Sequence, residues 1–195
     1  LHLGNGASVS AVQNGHAIET SMGLTPLEGL VMGTRSGDLD PAILIHLARV
    51  AGMTFEELDT MLNRSSGMLG LTGHTDMRDV LEAANGGDQD AQEAIEVYAH
   101  RIKTYVGSYY AHLGHLDAIA FTAGIGENAD WVRSAALAGL EELGIVIDPE
   151  RNVGGKSEPT IISPDGAKVT VCVVPTNEEL EIARETIEAI EKAAG

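Results

Sequence analysis

The sequence is poor in basic residues. Its 12 lysines and arginines are outnumbered by 29 aspartates and glutamates, which gives a formal net charge of -17. This charge repels the phosphates of nucleic acids and anionic membrane surfaces, so we expect neither nucleic acid nor membrane as a partner. An anionic ligand must therefore be held by a local arrangement of backbone N–H groups, a few arginines and a metal ion.

Cysteine and long apolar runs are also scarce. The single cysteine, Cys172, lies in the apolar run 169–174, where we expect a buried strand thiol rather than a nucleophile. One cysteine allows no disulfide within the chain, which fits a reducing compartment, and no apolar run has the length of a transmembrane helix. A cytoplasmic location is the expectation.

Aromatic residues make up only 4% of the sequence and apolar residues 44%, so the core must be mainly aliphatic. A length of 195 residues suits one domain. Patterning predicts an Asn14-Gly15 hairpin, strand–loop–helix units and long helices, which indicates an α/β fold with a mixed sheet. Strands are predicted at 7–12, 16–20, 118–122, 145–147 and 169–174, and helices at 41–51, 54–63, 77–84, 90–113, 130–143 and 176–193. A glycine-bearing loop is predicted at 67–76.

The segment 20–41 is the most informative part of the sequence. It contains four glycines, two prolines and one arginine, and it follows neither the helix period nor the strand period. Its leucines, valine and methionines argue against disorder, since a solvated linker has few apolar residues. The pattern predicts an ordered loop that presents Arg35 to an anion. The structural alternative is an ion pair between Arg35 and Asp38 or Asp40.

Two other glycine-bearing segments lie beside predicted strands. In Leu3-Gly4-Asn5-Gly6-Ala7-Ser8 the glycines permit a tight turn whose N–H groups bind phosphate, although an ordinary hairpin turn has the same composition. A turn between a strand and a helix is predicted for Ala123-Gly124-Ile125-Gly126-Glu127-Asn128. Its glycines allow either the close approach of a nucleoside or tight packing of the strand against the helix. It lacks the third glycine of the dinucleotide-binding fingerprint.

A third segment, 174–179, also joins a strand to a helix. We expect Thr176 to cap that helix and Glu179 to complete a capping box, which leaves Glu178 facing the end of the sheet. A carboxylate there suits Mg²⁺, which binds one or two carboxylates together with phosphate oxygens. The alternative is an acidic first turn that interacts with the helix dipole.

Taken together, these segments resemble the acetate kinase family. The resemblance covers nearly the whole chain, and segment 20–41 looks like the family's signature. It implies a ribonuclease-H-like ATPase domain of the actin, Hsp70 and sugar-kinase superfamily, an α/β fold with a mixed sheet flanked by helices. The resemblance further implies that residues 1–195 are the carboxyl-terminal nucleotide-binding domain of such a kinase, truncated at its N-terminal edge and without the amino-terminal domain. The segments that carry it are 2–6, 20–41, 121–128 and 175–180.

The resemblance also implies roles for individual residues. Arg35 matches an arginine that stabilises the transition state, and Glu178 matches the ligand of Mg²⁺ or Mn²⁺. The residues that match phosphate- and nucleoside-binding segments are His2, Leu3, Gly4, Asn5, Gly6, Asp76, Met77, Arg78, Gly124, Ile125, Gly126, Glu127 and Asn128. Ala123 stands where many relatives carry glycine, a change that costs little if φ is negative.

The reaction implied is reversible phosphoryl transfer from ATP to acetate, giving acetyl phosphate and ADP, in a homodimer. The apolar helix face at 95–106 is a candidate dimer surface, with core packing as its alternative. Because the family's amino-terminal domain supplies further catalytic groups, we expect this chain to be inactive alone.

Three other functions are compatible with parts of the sequence. A propionate or other short-chain acyl kinase differs from an acetate kinase only in the acyl pocket. A non-catalytic nucleotide-binding module of the same fold has no need of Arg35 together with Glu178. A dinucleotide oxidoreductase is disfavoured by the missing third glycine and by the lack of a ribose-binding acid about 20 residues later.

Overall fold

Short strands and longer helices alternate in the computed structural model, which describes residues 1–194. The strands are β1 (His2–Leu3), β2 (Ala7–Ser8), β3 (Ser10–Gln13), β4 (His16–Thr20), β5 (Ala118–Phe121), β6 (Thr160–Ile161) and β7 (Thr170–Val173). The helices are α1 (Ala42–Val50), α2 (Phe55–Arg64), α3 (Gly67–Thr72), α4 (Met77–Asn85), α5 (Gln89–Leu113), α6 (Ala123–Asn128), α7 (Asp130–Leu137), α8 (Pro149–Asn152) and α9 (Glu178–Ala194). Within these residues, no helix combines the length and apolarity needed to cross a bilayer.

The predicted hairpin is confirmed. β3 and β4 pair antiparallel, with Gln13 opposite His16. Asn14 and Gly15 between them have φ values of 52° and 79°, the positive values that a type I′ turn requires.

The central sheet is mixed, and the predicted place of run 169–174 at its centre is confirmed. β7 pairs parallel with β5 and antiparallel with β6. β1 continues the sheet beyond β5, because the N–H of Leu3 donates to the carbonyl of Thr122 at 2.9 Å. β2 pairs antiparallel with β1 on the other side. The first residues of the chain therefore lie beside the carboxyl end of β5, where ligands usually bind in α/β sheets.

Helix α5 packs its apolar face into the core, so the face at 95–106 is not a free dimer surface. Tyr98 and Ile102 on this helix are 2% and 0% exposed. The 25-residue helix contacts α3, α4 and α7 and supports the hairpin strand β3.

Four secondary-structure predictions are wrong, one of them at 123–128 in the candidate site described below. The segment 145–147 is not a strand: Ile145 is buried, but its N–H donates to the carbonyl of Leu140 instead of joining a sheet. The glycine-bearing segment 67–76, predicted as a loop, contains α3. The helix predicted at 130–143 ends at Leu137, because Gly139 adopts a φ of 79°.

Candidate functional site

The turn between β1 and β2 lies against segment 20–41. The N–H of Gly33 donates to the carbonyl of Asn5 at 2.9 Å. A Cβ added to Gly6 would lie 3.6 Å from Nη1 of Arg35. A Cβ added to Gly33 would clash with the Asn5 side chain, so this close approach requires glycine. The structure thus places Arg35 next to the predicted phosphate-binding turn.

Segment 20–41 is an ordered loop without helix or strand after Thr20, as predicted. Its apolar residues Leu30, Val31 and Met32 are buried. Asp38 fastens the loop: its Oδ1 accepts from the N–H of Gly29 at 2.8 Å. Its Oδ2 accepts from the hydroxyl of Tyr105 on α5 at 2.7 Å. Burial and this bond raise the pKa of Tyr105, so the hydroxyl stays protonated and keeps donating.

Arg35 forms no ion pair with a carboxylate of residues 1–194, which rules out the structural alternative. Its Nη1 donates to the carbonyl of Pro26 at 3.3 Å and lies 3.6 Å from the sulfur of Met32. Asp38 pairs with Arg101 instead, at 3.4 Å. Asp40 accepts from the N–H of Ala42 at the start of α1. The remaining N–H groups of the Arg35 guanidinium are left for an anion.

A cavity of about 720 Å³ opens between α4 and the junction of α6 with α7. The predicted residues that line it are Gly4, Asn5, Met77, Arg78, Gly124, Ile125 and Asn128. Six further lining residues were not predicted from the sequence, and they are Leu81, Glu82, Asn85, Ala129, Asp130 and Trp131. The spacing of α4 was the available signal, because Leu81, Glu82 and Asn85 follow Arg78 on the same helical face.

Several predicted residues have structural surroundings instead of lining the cavity. Leu3 is fully buried in the core. Nδ1 of His2 lies 3.1 Å from the hydroxyl of Thr122. A Cβ on Gly126 would lie 3.5 Å from the backbone of Phe121, so this glycine faces the protein interior. His2, Leu3 and Gly126 therefore belong to the packing around the site and do not line the cavity.

Asp76 and Arg78 form a pair at the start of α4. Asp76 is the N-cap of this helix, and its Oδ1 accepts from the N–H of Arg78 at 2.8 Å. Its Oδ2 lies 2.6 Å from Nη2 of the same arginine. These hydrogen bonds lower the pKa of Asp76 to about 2. Asp76 thus orients Arg78 at the rim of the cavity.

The segment 123–128, predicted as a turn, is the short helix α6. Its first residue, Ala123, has a φ of 63°, so the condition under which alanine costs little at this position, a negative φ, is not met. The left-handed conformation costs an L-residue about 1–2 kcal/mol. The structure explains why glycine is favoured here and makes Ala123 a strained position beside Gly4.

Glu127 points away from the cavity, toward the start of α9. Its Oε1 accepts from the N–H of Thr176 at 2.9 Å and from the Thr176 hydroxyl at 3.1 Å. The predicted capping box is therefore wrong: the side chain of Asn177, not Thr176, accepts from the N–H of Leu180 at 3.0 Å. Thr176 does not cap α9, because its N–H and its hydroxyl both donate to Glu127.

Glu178 is the first residue of α9 and is exposed. It makes no ion pair with the residues that the structure describes. Within 1–194 no three His, Cys, Asp or Glu side chains cluster as a metal site. A single free carboxylate fits a Mg²⁺ ion whose other ligands are phosphate oxygens and water.

Arg133 is a buried residue that the sequence analysis did not identify. It is 0% exposed, and its Nη1 donates to the carbonyls of Gly126 and Glu127 at 2.8 and 3.0 Å. Its Nε donates to the Asn152 side chain at 2.7 Å. Burial lowers the pKa of Arg133, and these acceptors offset part of that cost. Arg133 thus fixes the C-terminal end of α6, which forms one wall of the cavity.

A second cavity, of about 410 Å³, lies between β3 and β5. Val106, Tyr109 and Leu113 of α5 form part of its lining. His2 is the one predicted site residue in its wall, so this cavity does not bring the candidate residues together.

Comparison with known proteins gives consistent matches. Residues 1–184 match the Acetokinase family. The chain is 61% identical over 186 residues to an acetate kinase of Streptomyces avermitilis. The match covers 95% of this chain and 46% of that protein. Among solved structures, an acetate kinase of Porphyromonas gingivalis matches with a TM-score of 0.93 and 43% identity, over 97% of this chain and 48% of the other.

A propionate kinase of Francisella tularensis matches with a TM-score of 0.88 and 48% identity, over 94% of this chain and 47% of that one. The chain therefore spans about half the length of the relatives it matches. The predicted fold class, an α/β fold with a mixed sheet flanked by helices, is confirmed by these structural matches. Because both the sequence family and the structural relatives extend over nearly all of its residues, the chain belongs to the acetokinase family.

Proposed function

We propose that this chain is the nucleotide-binding part of an acetate kinase, which transfers a phosphoryl group between ATP and acetate. The observation that carries the proposal is the position of Arg35, unpaired with any described carboxylate and lying beside the Asn5-Gly6 turn. Asn5 also lines the cavity between α4 and α6, so Arg35 and the cavity both lie beside the Asn5-Gly6 turn.

The arrangement suits phosphoryl transfer, in which positioning and charge stabilisation lower the barrier. The nucleoside occupies the cavity between α4 and the junction of α6 with α7, which Met77, Arg78 and Gly124 help to line. The phosphates extend to the N–H groups of the Asn5-Gly6 turn. Arg35 binds the transferred phosphoryl group more strongly in the transition state than in either ground state. In the transition state the negative charge of the phosphoryl group is spread over its equatorial oxygens.

Glu178 would hold Mg²⁺ or Mn²⁺, which when bound neutralises charge on the phosphate oxygens. Thr176 and Glu127 set the position of this carboxylate through the hydrogen bonds at the start of α9. ATP or ADP is thus a substrate, and the divalent ion is the one cofactor that the proposal needs.

The domain assignment is part of the proposal. Residues 1–195 form the carboxyl-terminal nucleotide-binding domain, and the acetate-binding groups and the catalytic acid belong to the other half of the protein. The chain alone is accordingly inactive. Formation of acetyl phosphate by the purified chain would contradict this assignment.

Propionate is the second candidate substrate, because a propionate kinase shares 48% identity with this chain. The described residues offer no acyl pocket that distinguishes the two acids. A non-catalytic nucleotide-binding module of the same fold is the third candidate, and the free Arg35 argues against it.

We further propose a homodimer that forms through α1 and the start of α2. The apolar helix α1 buries none of its residues in the chain. Its residues Ile45 and Val50 are 55% and 73% exposed, and the neighbouring Phe55 is 84% exposed. A surface of this kind is typical of a protein interface. The acidic net charge disfavours nucleic acid and membranes as partners, and the cytoplasm remains the proposed location.

Calorimetric titration of the chain with ADP and Mg²⁺ tests the nucleotide site. Gly124 lines the cavity, and a Cβ added there would meet no atom within 4 Å, so Gly124→Val adds a side chain to the cavity without a clash at its Cβ. Gly107→Val is the matched control. A Cβ added to Gly107 on α5 would also meet no atom within 4 Å, and Gly107 lies outside the cavity. The proposal predicts weaker ADP binding for the first variant alone. Equal affinities would contradict it.

A further inference from the structure

We infer that Trp131 stacks on the base of the bound nucleotide and that Asn85 selects adenine. The inference rests on the proposed function, since it assumes that a nucleoside diphosphate occupies the cavity. Neither residue belongs to the segments that suggested the nucleotide site.

The two helices that form the cavity walls both begin at the phosphate end. A Cβ added to Gly33 would lie 3.2 Å from the carbonyl of Thr75, so the start of α4 adjoins the Asn5-Gly6 turn and Arg35. A Cβ added to Gly4 would lie 3.6 Å from the Cβ of Ala123, so α6 starts at the same end.

The opposite ends of these helices define the base end of the cavity. On α4, the lining residues Arg78, Leu81 and Asn85 lie on one face, and Asn85 is about 10 Å farther along the axis than Arg78 at a rise of 1.5 Å per residue. On the other wall, α6 ends at Asn128 and Trp131 follows in the first turn of α7. Trp131 and Asn85 are therefore the last residues of each wall, in chain order, that line the cavity.

The chemistry of this end suits a purine. The half-buried indole of Trp131 offers a flat aromatic surface, on which a base stacks through its π-face. The side chain of Asn85 has no hydrogen-bond partner among the described residues, and it is exposed toward the cavity. A carboxamide carries one donor and one acceptor group, which match the N7 acceptor and N6 amino donor of adenine. The same edge of guanine has two acceptors, so Asn85 pairs with it poorly.

The test follows the emission of Trp131, the one tryptophan of the chain. ADP, GDP and pyrophosphate are titrated with Mg²⁺, and calorimetry gives the affinities. The inference predicts that ADP changes the emission and pyrophosphate does not. Trp131→Ala weakens ADP binding about tenfold, the size expected for one aromatic–base stack, while pyrophosphate binding is unchanged. Trp131→Phe keeps most of the ADP affinity, which excludes a folding defect as the cause.

Two further variants complete the test. Asn85→Asp removes the amide donor and lowers the preference for ADP over GDP. Ile18→Ala is the control, because it truncates an exposed apolar side chain outside the cavity and leaves ADP binding unchanged. If the wild-type chain binds ADP but Trp131→Ala binds it equally well, the inference is overturned and the nucleotide site stands. If the wild-type chain is folded by circular dichroism and binds no ADP, the proposed function and the inference both fail.

Discussion

Glu127 and Thr176 are joined by two hydrogen bonds, both to Oε1 of the carboxylate, at 2.9 Å from the backbone N–H and 3.1 Å from the hydroxyl. This contact ties the last turn of α6 to the segment that leads into α9 and Glu178. A residue first assigned to the nucleotide therefore holds the start of the helix on which the proposed metal ligand lies.

Replacement of Glu127 tests this link. Glu127→Ala removes both acceptors, so we expect faster amide hydrogen exchange at 176–181 and a loss of stability of about 1 kcal/mol. The Mg²⁺ dependence of ADP binding should weaken, because Glu178 is less well placed. Glu179→Gln is the matched control, since Glu179 makes no hydrogen bond in this contact. Unchanged exchange in Glu127→Ala would refute the link.

The positive φ of Ala123 leads to a stabilising substitution. Ala123→Gly relieves the left-handed strain but loses a buried methyl and increases the entropy of the unfolded chain. We expect the net effect of Ala123→Gly to be a gain of about 0.5 kcal/mol in the free energy of unfolding, and denaturant titration measures it. Ala120→Gly, within β5 and without a positive φ, should instead lower stability. A loss of stability in both variants would show that Ala123 is not strained.

The hydroxyl of Tyr98 is buried without a hydrogen-bond partner in the described part of the chain. Burial also raises the pKa of Tyr98, so the neutral but unsatisfied form persists. Tyr98→Phe should raise the free energy of unfolding by about 1 kcal/mol, because an unpaired buried polar group is removed. Tyr105→Phe is the control: it breaks the bond to Asp38 and should be destabilising. The prediction fails if Tyr98→Phe is the less stable of the two.

The pair of Asp76 and Arg78 predicts a dependence of stability on pH in the acid range. The folded-state pKa of Asp76, about 2, lies below its ordinary value of 3.8. The ionised carboxylate therefore stabilises the fold above about pH 3.8, and this contribution is lost as the pH falls through about 2. Asp76→Asn keeps a capping group but should flatten this part of the stability profile, followed by urea unfolding between those pH values. Asp79→Asn is the matched control, because it removes a carboxylate from the first turn of α4 and leaves the ion pair between Asp76 and Arg78 intact.

Local chemistry explains the elements that the sequence predicted well. The Asn14-Gly15 turn needs two residues that accept positive φ, and the sequence supplies them directly. Thr54 and Glu57 form both hydrogen bonds of a capping box, so α2 begins where expected. β7 lies at the centre of its sheet as predicted, with Val171 and Val173 fully buried on one face. Thr170 and Cys172 on the other face are only partly buried, so the expected buried thiol is partly exposed.

The errors arose where tertiary contacts overrode local preference. Thr176 and Asn177 are both good N-caps, and the contact with Glu127 decides between them. The glycines of α6 disfavour a helix in isolation, yet Arg133 binds the carbonyls at its end. The motif residues of the site were assigned through the family resemblance, and the helical spacing of α4 extends that assignment to Asn85. The place of Trp131 depends on how α7 packs at the cavity, which no local pattern predicts.

The role of Arg35 is the central claim. The most direct measurement is the rate of acetyl phosphate formation by the complete kinase, compared between wild type and Arg35→Ala. Under the proposed role, in which Arg35 stabilises charge in the transition state, kcat should fall by about a thousandfold while the affinity for ADP changes little. A variant that keeps the wild-type kcat, with only a raised KM for ATP, would contradict the account.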